Sequence, residues 1–168
     1  TGQGKSTTLL QMVLALIKNN QTGVMYDPYG DLVKTIQKSV ITEDSKKNFI
    51  VFDQSVSEEE IKTAIKDKLI LVRSRKLQEG GRMTRDRAEH LIPMLTKYLK
   101  KNDWLIVDEA FDYLTDEIIL KYLDLIKQGI KVIFSESTLM NLSEKERREL
   151  LAMTKNFIIY KARNIDAK

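Results

Sequence analysis

The chain has 168 residues, and 42% of them are hydrophobic, which is enough for one globular domain with its own core. It has no cysteine, which excludes disulfides and thiolate metal sites, and no apolar run approaches the length of a transmembrane helix. The absence of cysteine favours a cytoplasmic location, and no signal peptide is visible. The net charge of +4 comes from 28 basic and 24 acidic residues mixed along the chain, which permits contact with nucleic acid without arguing for it.

The first residues contain the second half of a phosphate-binding loop of the pattern G-x-x-x-x-G-K-[ST]. In such a loop the glycines let backbone N–H groups converge on phosphate oxygens, and the following helix adds the positive end of its dipole. Lys5 then reaches the β- and γ-phosphates of ATP, and the Ser6 hydroxyl ligates Mg²⁺. The remaining predicted nucleotide contacts are Gly2, Gln3, Gly4 and Thr7. The alternative is a Gly-Lys-Ser turn that only caps a helix.

The helix predicted after this loop has the apolar stripe of a buried helix. The stripe consists of Leu9, Met12, Val13, Leu16 and Ile17. A complete loop also needs another glycine and a hydrophobic strand before it. We therefore expect the sequence to begin inside a longer chain, with the first strand of the fold missing.

Strand and helix patterns alternate along the rest of the chain, which predicts an α/β fold with a mostly parallel sheet flanked by helices. Short apolar runs predict strands at Gly23–Tyr26, Phe49–Phe52, Trp104–Val107, Lys131–Phe134 and Phe157–Tyr160. Helices are predicted at Leu32–Ile36, Arg85–Lys100 with Pro93 inside it, Ile118–Lys127, and from a cap at Ser143 to about Met153.

The segment Leu69–Val72 is ambiguous. It continues the apolar stripe of a helix that begins at a capping box formed by Ser57 and Glu60, and it also has the composition of a buried strand. The helix is our first interpretation and the strand is the alternative. Asp53, which closes the preceding strand, is predicted to be a helix N-cap or a turn residue.

An acidic pair follows the apolar run Trp104–Val107, which predicts a central strand that delivers carboxylates to the C-terminal edge of the sheet. Asp108 would then hold the Mg²⁺ shell through water, and Glu109 would polarise the water that attacks the γ-phosphate. An acidic pair after a strand is often only the start of a helix. The phosphate-loop residues upstream favour the nucleotide-site interpretation.

The sequence Asp27-Pro28-Tyr29-Gly30-Asp31-Leu32 predicts a tight turn at the end of the first of these strands. Such a turn can serve only to reverse the chain. We favour the alternative, in which Asp27 lies near the γ-phosphate. His90 is interpreted as structural, and Trp104 and Tyr29 as packing residues.

Five motifs in this order resemble the FtsK/HerA superfamily of DNA-translocating ATPases, and within it the conjugative coupling proteins of the TraG type. The motifs are TGQGKST, YDPYGDL, RAEHLIPMLTKYL, WLIVDEA and KVIFSESTLMNL. The resemblance implies a RecA-like P-loop core that hydrolyses ATP with Mg²⁺ in a homo-oligomer, commonly a hexamer. It also implies DNA as the partner, and a membrane or secretion-machinery partner through segments outside this chain.

The chain departs from that family pattern in two places. Ser137 stands where the relatives place a glutamine sensor after a strand, and the all-α insertion before the acidic-pair strand is absent. Arg87 aligns with an arginine of the family and is the candidate for an arginine finger that acts on the ATP of a neighbouring subunit. Two other functions stay open: a nucleotide-binding scaffold with little turnover, and a small-molecule P-loop kinase.

Overall fold

The computed structural model describes residues 4–40, 42–53, 55–73, 90–109, 116–136, 142–156 and 158. Strands and helices alternate there as the sequence predicts. In chain order the elements are α1 (Lys5–Lys18), β1 (Gly23–Asp27), α2 (Asp31–Ser39), α3 (Glu43–Lys46), β2 (Phe49–Asp53), α4 (Glu58–Ala64), β3 (Leu69–Arg73), α5 (90–96), β4 (Trp104–Val107), α6 (Asp116–Lys127), β5 (Lys131–Phe134) and α7 (Glu144–Met153).

The five strands form one parallel sheet in the order β2-β3-β1-β4-β5. The predicted α/β class is therefore confirmed, and the arrangement is consistent with a RecA-like or Rossmann-type core. Because all five strands run the same way, their carboxyl ends lie along one edge. In this class of sheet that edge carries the ligand sites.

Helices cover both faces of the sheet, which explains why β1 and β3 are buried along their length, except for Arg73 at the end of β3. Side chains alternate between the faces along each strand. Val24 and Tyr26 of β1 pack in a core with residues of α4, α5, α6 and α7, whereas Met25 packs with α1 and α2 on the other side. The result is a three-layer domain. Helix α1 packs on the face that includes Met25, and its first residue, Lys5, lies at the carboxyl edge of the sheet.

The helix interpretation of Leu69–Val72 is wrong, and the strand alternative is confirmed. Helix α4 begins at the predicted capping box but ends at Ala64, and β3 then lies between β1 and β2. All four residues of the segment are fully buried, because sheet neighbours and helices surround them. Asp53 acts as a turn residue, since its carbonyl accepts a hydrogen bond from the Val56 N–H, and Ser57 is the N-cap.

Some predicted elements fall partly outside the described residues. The helix predicted for Arg85–Lys100 is described from residue 90 and ends at 96. The strand predicted for Phe157–Tyr160 lies outside the described residues except for Ile158, which is exposed. None of the helices in the described ranges is long and apolar enough to cross a bilayer.

A glycine is required at the start of β1, and substitution there should destabilise the fold. Gly23 has a φ of +145°, and a Cβ atom on it would lie 2.1 Å from the backbone carbonyl oxygen of Trp104 on β4. We expect Gly23→Ala to lower the free energy of unfolding by about 3 kcal/mol or more, because the paired backbones must separate. Urea unfolding followed by circular dichroism measures the change.

Gly129→Ala is the matched control, since Gly129 also has a positive φ of +84°. A Cβ atom at Gly129 would meet only the side chain of Lys101, which can move away. Its cost should be that of the backbone conformation alone, about 1–2 kcal/mol. Equal losses in the two variants would contradict a special role for the contact between β1 and β4.

Candidate functional site

Polar residues form a row along the carboxyl edge of the sheet. Tyr26 of β1 pairs with Val107 of β4, and Val107 pairs with Phe134 of β5. The ladder continues one residue further, because the Asp108 N–H donates to the Tyr26 carbonyl at 3.1 Å and the Ser135 N–H donates to the Val107 carbonyl at 3.0 Å. Across all five strands the row is Asp53, Arg73, Asp27, Asp108 and Ser135.

Asp27 organises the turn that follows β1. Its carboxylate is almost completely buried, and it accepts backbone hydrogen bonds from Tyr29 at 3.1 Å and from Gly30 at 2.8 Å through Oδ1, and from Val33 at 2.9 Å through Oδ2. Burial raises the pKa of Asp27, and these hydrogen bonds oppose that rise. Asp27 therefore joins the strand end to the start of α2. Its contact with a nucleotide stays a prediction.

Asp108 occupies the equivalent position on β4 but has different partners. Burial raises the pKa of its carboxyl group, the nearby Ser135 hydroxyl and Lys5 lower it, and the charges of Glu109 and Asp27 raise it. These charged neighbours show that Asp108 lies near Lys5, Glu109 and Asp27. The structure thus brings together Lys5, Asp108 and Glu109, as the sequence predicts.

Two buried polar atoms in this group make no hydrogen bond of normal geometry within the described part of the chain, although the Ser135 hydroxyl lies near enough to Asp108 to lower the pKa of its carboxyl group. They are Oδ1 of Asp108 and Oγ of Ser135, in side chains that are each more than nine-tenths buried. Buried polar atoms are nearly always hydrogen-bonded, and leaving one without a partner costs about 1–3 kcal/mol. This pair of atoms is suited to a polar ligand or a bound water.

The N-terminus of α1 faces this group through Lys5. Gly4 is the N-cap, in the left-handed conformation with a φ of 89°, and it offers no side-chain hydrogen bond to the helix. The first turn contains no acidic residue, and Ser6 and Thr7 are exposed. The positive end of the helix dipole is therefore available to an anion.

Lys5 and Glu109 form an ion pair in which the ammonium donates to Oε1 of the carboxylate. Both side chains are about one-fifth exposed, at 22% each. The pair joins the start of α1 to the end of β4 across 104 residues of sequence. Glu109 has a φ of 47°, a left-handed backbone conformation that is uncommon for a residue other than glycine and is often found at functional sites.

The donor set is compatible with a magnesium site of the P-loop type. Among the described residues, no group of three or more histidine, aspartate or glutamate side chains could hold a metal ion. Such a group is not required, because Mg²⁺ bound with a nucleotide takes few protein ligands and keeps waters and phosphate oxygens. A serine hydroxyl at Ser6 and the unpartnered Oδ1 of Asp108 fit that pattern.

Ser135 is a site residue that the sequence analysis missed. The family pattern pointed to Ser137, which lies outside the described residues. Ser135 could have been found from the strand alone, because it follows the apolar run of β5 as Asp108 follows that of β4. Gly2, Gln3 and Arg87 also lie outside the described residues. Elsewhere, Trp104 packs against the core as predicted, whereas Tyr29 and His90 are exposed.

The chain matches no protein-family model, and no curated protein matches it. The fold and the site define an α/β protein with a parallel sheet, whose strands end in charged residues and in buried polar atoms that lack hydrogen bonds. Only the sequence motifs indicate a narrower class of protein.

Asp108→Asn should stabilise the folded protein at neutral pH. The folded carboxyl group holds its proton more tightly than the unfolded one, so the stability of the parent falls as pH rises from the ordinary aspartate pKa of 3.8 through the raised pKa of the folded state. The variant lacks this loss. We expect it to gain about 0.5–2 kcal/mol in free energy of unfolding at pH 7, with the gain shrinking toward about pH 4, as measured by urea unfolding.

Asp27→Asn is the matched control, because Asp27 is also buried and its pKa is also raised. Its two oxygens accept three backbone hydrogen bonds, and an amide cannot replace both acceptors. This variant should be destabilised. Loss of stability in both variants would contradict the distinction between a structural Asp27 and an unsatisfied Asp108.

Proposed function

We propose that this chain is the core of a P-loop ATPase that hydrolyses ATP with Mg²⁺. One observation carries the proposal: Lys5 extends from the start of α1 to the edge where Asp108 and Ser135 hold two buried polar atoms that make no hydrogen bond of normal geometry. A cation, a helix N-terminus and an unsatisfied carboxylate at one sheet edge are the groups that a nucleotide site needs. The motif sequence from Gly2 to Thr7 supports the same interpretation.

Binding is assigned to the loop and the start of α1. The backbone of Gly2, Gln3 and Gly4 would surround the phosphates, and Lys5 would neutralise charge on the β- and γ-phosphates. Ser6 would ligate Mg²⁺ and Asp108 would hold its shell through water, and the bound ion would supply charge neutralisation to the phosphates. Thr7 is the further hydroxyl of the loop, and Ser137 remains a candidate contact from the resemblance.

Hydrolysis is assigned to Glu109 as the general base. In this proposal its carboxylate accepts a proton from the water that attacks the γ-phosphorus, and the bond from that phosphorus to the β,γ-bridging oxygen breaks. Ser135 lies beside Asp108 on the next strand, where its hydroxyl can orient a water or a phosphate oxygen. The backbone contacts of Asp27 support a scaffold role beneath these groups.

The biological setting of the proposal rests on the resemblance to FtsK/HerA motors, which is an associational argument. It proposes a homo-oligomer, in that family commonly a hexamer, that translocates DNA. It also proposes a membrane or secretion-machinery partner that segments beyond this chain would contact, with the ATPase on the cytoplasmic side. Arg87 is proposed to act across the subunit interface.

Lys5→Ala should abolish hydrolysis and weaken ATP binding, because it deletes the positive charge at the phosphates. Glu109→Gln should retain binding while hydrolysis falls by about 10²-fold or more, since an amide cannot accept the proton. Fluorescence titration with an ATP analogue and release of inorganic phosphate are the measurements. Lys18→Ala, at the exposed far end of α1, is the control and should behave as the parent.

Normal turnover by Lys5→Ala would overturn the site assignment. ATP binding without phosphate release by the parent oligomer would instead favour the nucleotide-binding scaffold. Transfer of the phosphoryl group to an added acceptor would favour the kinase.

Arg87→Ala should leave ATP binding by an isolated subunit intact and cut oligomer turnover by about 10³-fold or more, the effect of losing an arginine finger. Mixing Arg87→Ala subunits with Lys5→Ala subunits should restore activity at interfaces where an intact loop meets an intact arginine. A phosphate-release assay across mixing ratios measures the recovery. If no mixture recovers, Arg82 and Arg85 become the residues to test.

A further inference from the structure

We propose that the ion pair between Lys5 and Glu109 is a latch that holds the empty site inactive until nucleotide phosphates displace it. The inference rests on the proposed function and adds regulation to that site. In the latched state the Glu109 carboxylate takes the position on the Lys5 ammonium that a phosphate oxygen would otherwise take. The two side chains assigned to binding and to proton transfer are thus engaged with each other.

The environment of this ion pair distinguishes it from the surface pairs of the described residues. Pairs such as Lys46 with Glu43 join neighbours on one helix and have largely exposed side chains, of which one is 81% exposed. Such exposed pairs contribute little to stability. The Lys5–Glu109 pair is partly buried and joins two elements of the fold, as does the Arg73–Asp53 pair, but it alone of these two involves the residues assigned to phosphate binding and proton transfer.

A polyphosphate and the Glu109 carboxylate compete for the same ammonium. Both are anions, and a carboxylate that remains on Lys5 would lie beside the incoming phosphates and repel them. Asp108 adds a second carboxylate near Lys5 and Glu109. Because Asp108 is buried, water screens its charge only weakly. Tight nucleotide binding therefore requires Glu109 to leave Lys5.

The backbone of Glu109 favours such a change. A φ of 47° is a left-handed conformation that a non-glycine residue adopts at a cost. When phosphates replace the carboxylate, the contact with Lys5 is lost and the residue can relax to a more common conformation. Binding would then release the side chain that serves as the base, which couples occupancy of the site to its activation.

In a latch, only molecules in which the Lys5–Glu109 pair is separated bind nucleotide, so the apparent affinity is the intrinsic affinity multiplied by the fraction of such molecules. Equilibrium titration of the full chain with a fluorescent ATP analogue measures this effect, with and without Mg²⁺. Glu109→Gln should bind about 3- to 10-fold more tightly than the parent, the scale expected for one partly exposed ion pair. Glu43→Gln removes a charge from an exposed surface pair and should not change binding.

Glu109→Asp separates the latch from simple charge repulsion. Aspartate keeps the negative charge but is one methylene shorter, so it cannot hold the same contact with Lys5. A latch predicts tighter binding by this variant also. If Glu109→Gln binds more tightly and Glu109→Asp binds as the parent does, repulsion explains the gain and the latch is overturned.

A measurement without nucleotide tests the latch independently of the ATPase proposal. Reductive methylation followed by peptide mass spectrometry should modify Lys5 about 3-fold or more faster in Glu109→Gln than in the parent, relative to Lys18 in the same molecule. Equal rates would overturn the latch. If Lys5 reacts faster but neither parent nor variant binds ATP, the proposed function fails, and with it the regulatory role of the pair. If ATP binds equally to all of them, only the latch fails.

Discussion

The register of the parallel ladder between β1, β4 and β5 is the constraint on which the site depends. Backbone hydrogen bonds continue past the strand ends, from Asp108 to Tyr26 and from Ser135 to Val107, and they hold the end residues side by side. Both faces of the sheet are buried, so a shift by one residue would move each side chain of the strand to the opposite core and would draw an edge carboxylate into the sheet. The same hydrogen bonds that stabilise the sheet therefore determine which polar groups meet at its edge.

Asp27 and Asp108 stand at equivalent places on adjacent strands but have different hydrogen-bonding environments. Asp27 and Asp108 end adjacent strands and are both buried, yet the carboxylate of Asp27 is saturated by backbone N–H groups and that of Asp108 retains an unpartnered oxygen. The hydrogen bonds to Asp27 stabilise the turn at the start of α2. The oxygen of Asp108 that lacks a hydrogen bond lowers the stability of the fold, and the apolar helices on both faces of the sheet offset that loss. Such a local loss is typical of a site that binds a ligand.

The sequence was sufficient to predict the α/β class and the meeting of Lys5, Asp108 and Glu109, because apolar runs and the residues at their ends carry that information. It was insufficient for Leu69–Val72, since a strand buried on both faces has no alternation to separate it from a buried helix. Ser135 was missed because the family pattern directed attention to Ser137. The ion pair at Lys5 and the left-handed backbone of Glu109 depend on side-chain reach and local geometry, which spacing along the chain does not encode.

The partner of Arg73 has a consequence for the kind of anion that the edge can accept. Arg73 lies next to Asp27 in the row, but its Nε donates to Asp53 on the other side at 2.8 Å. Among the described residues, Arg73 therefore balances Asp53 in the outer part of the row, while Lys5 lies near both Asp108 and Glu109. In the proposed nucleotide site, the surplus of carboxyl groups over ammonium groups would repel a bare polyanion and favour an anion that arrives with its own cation.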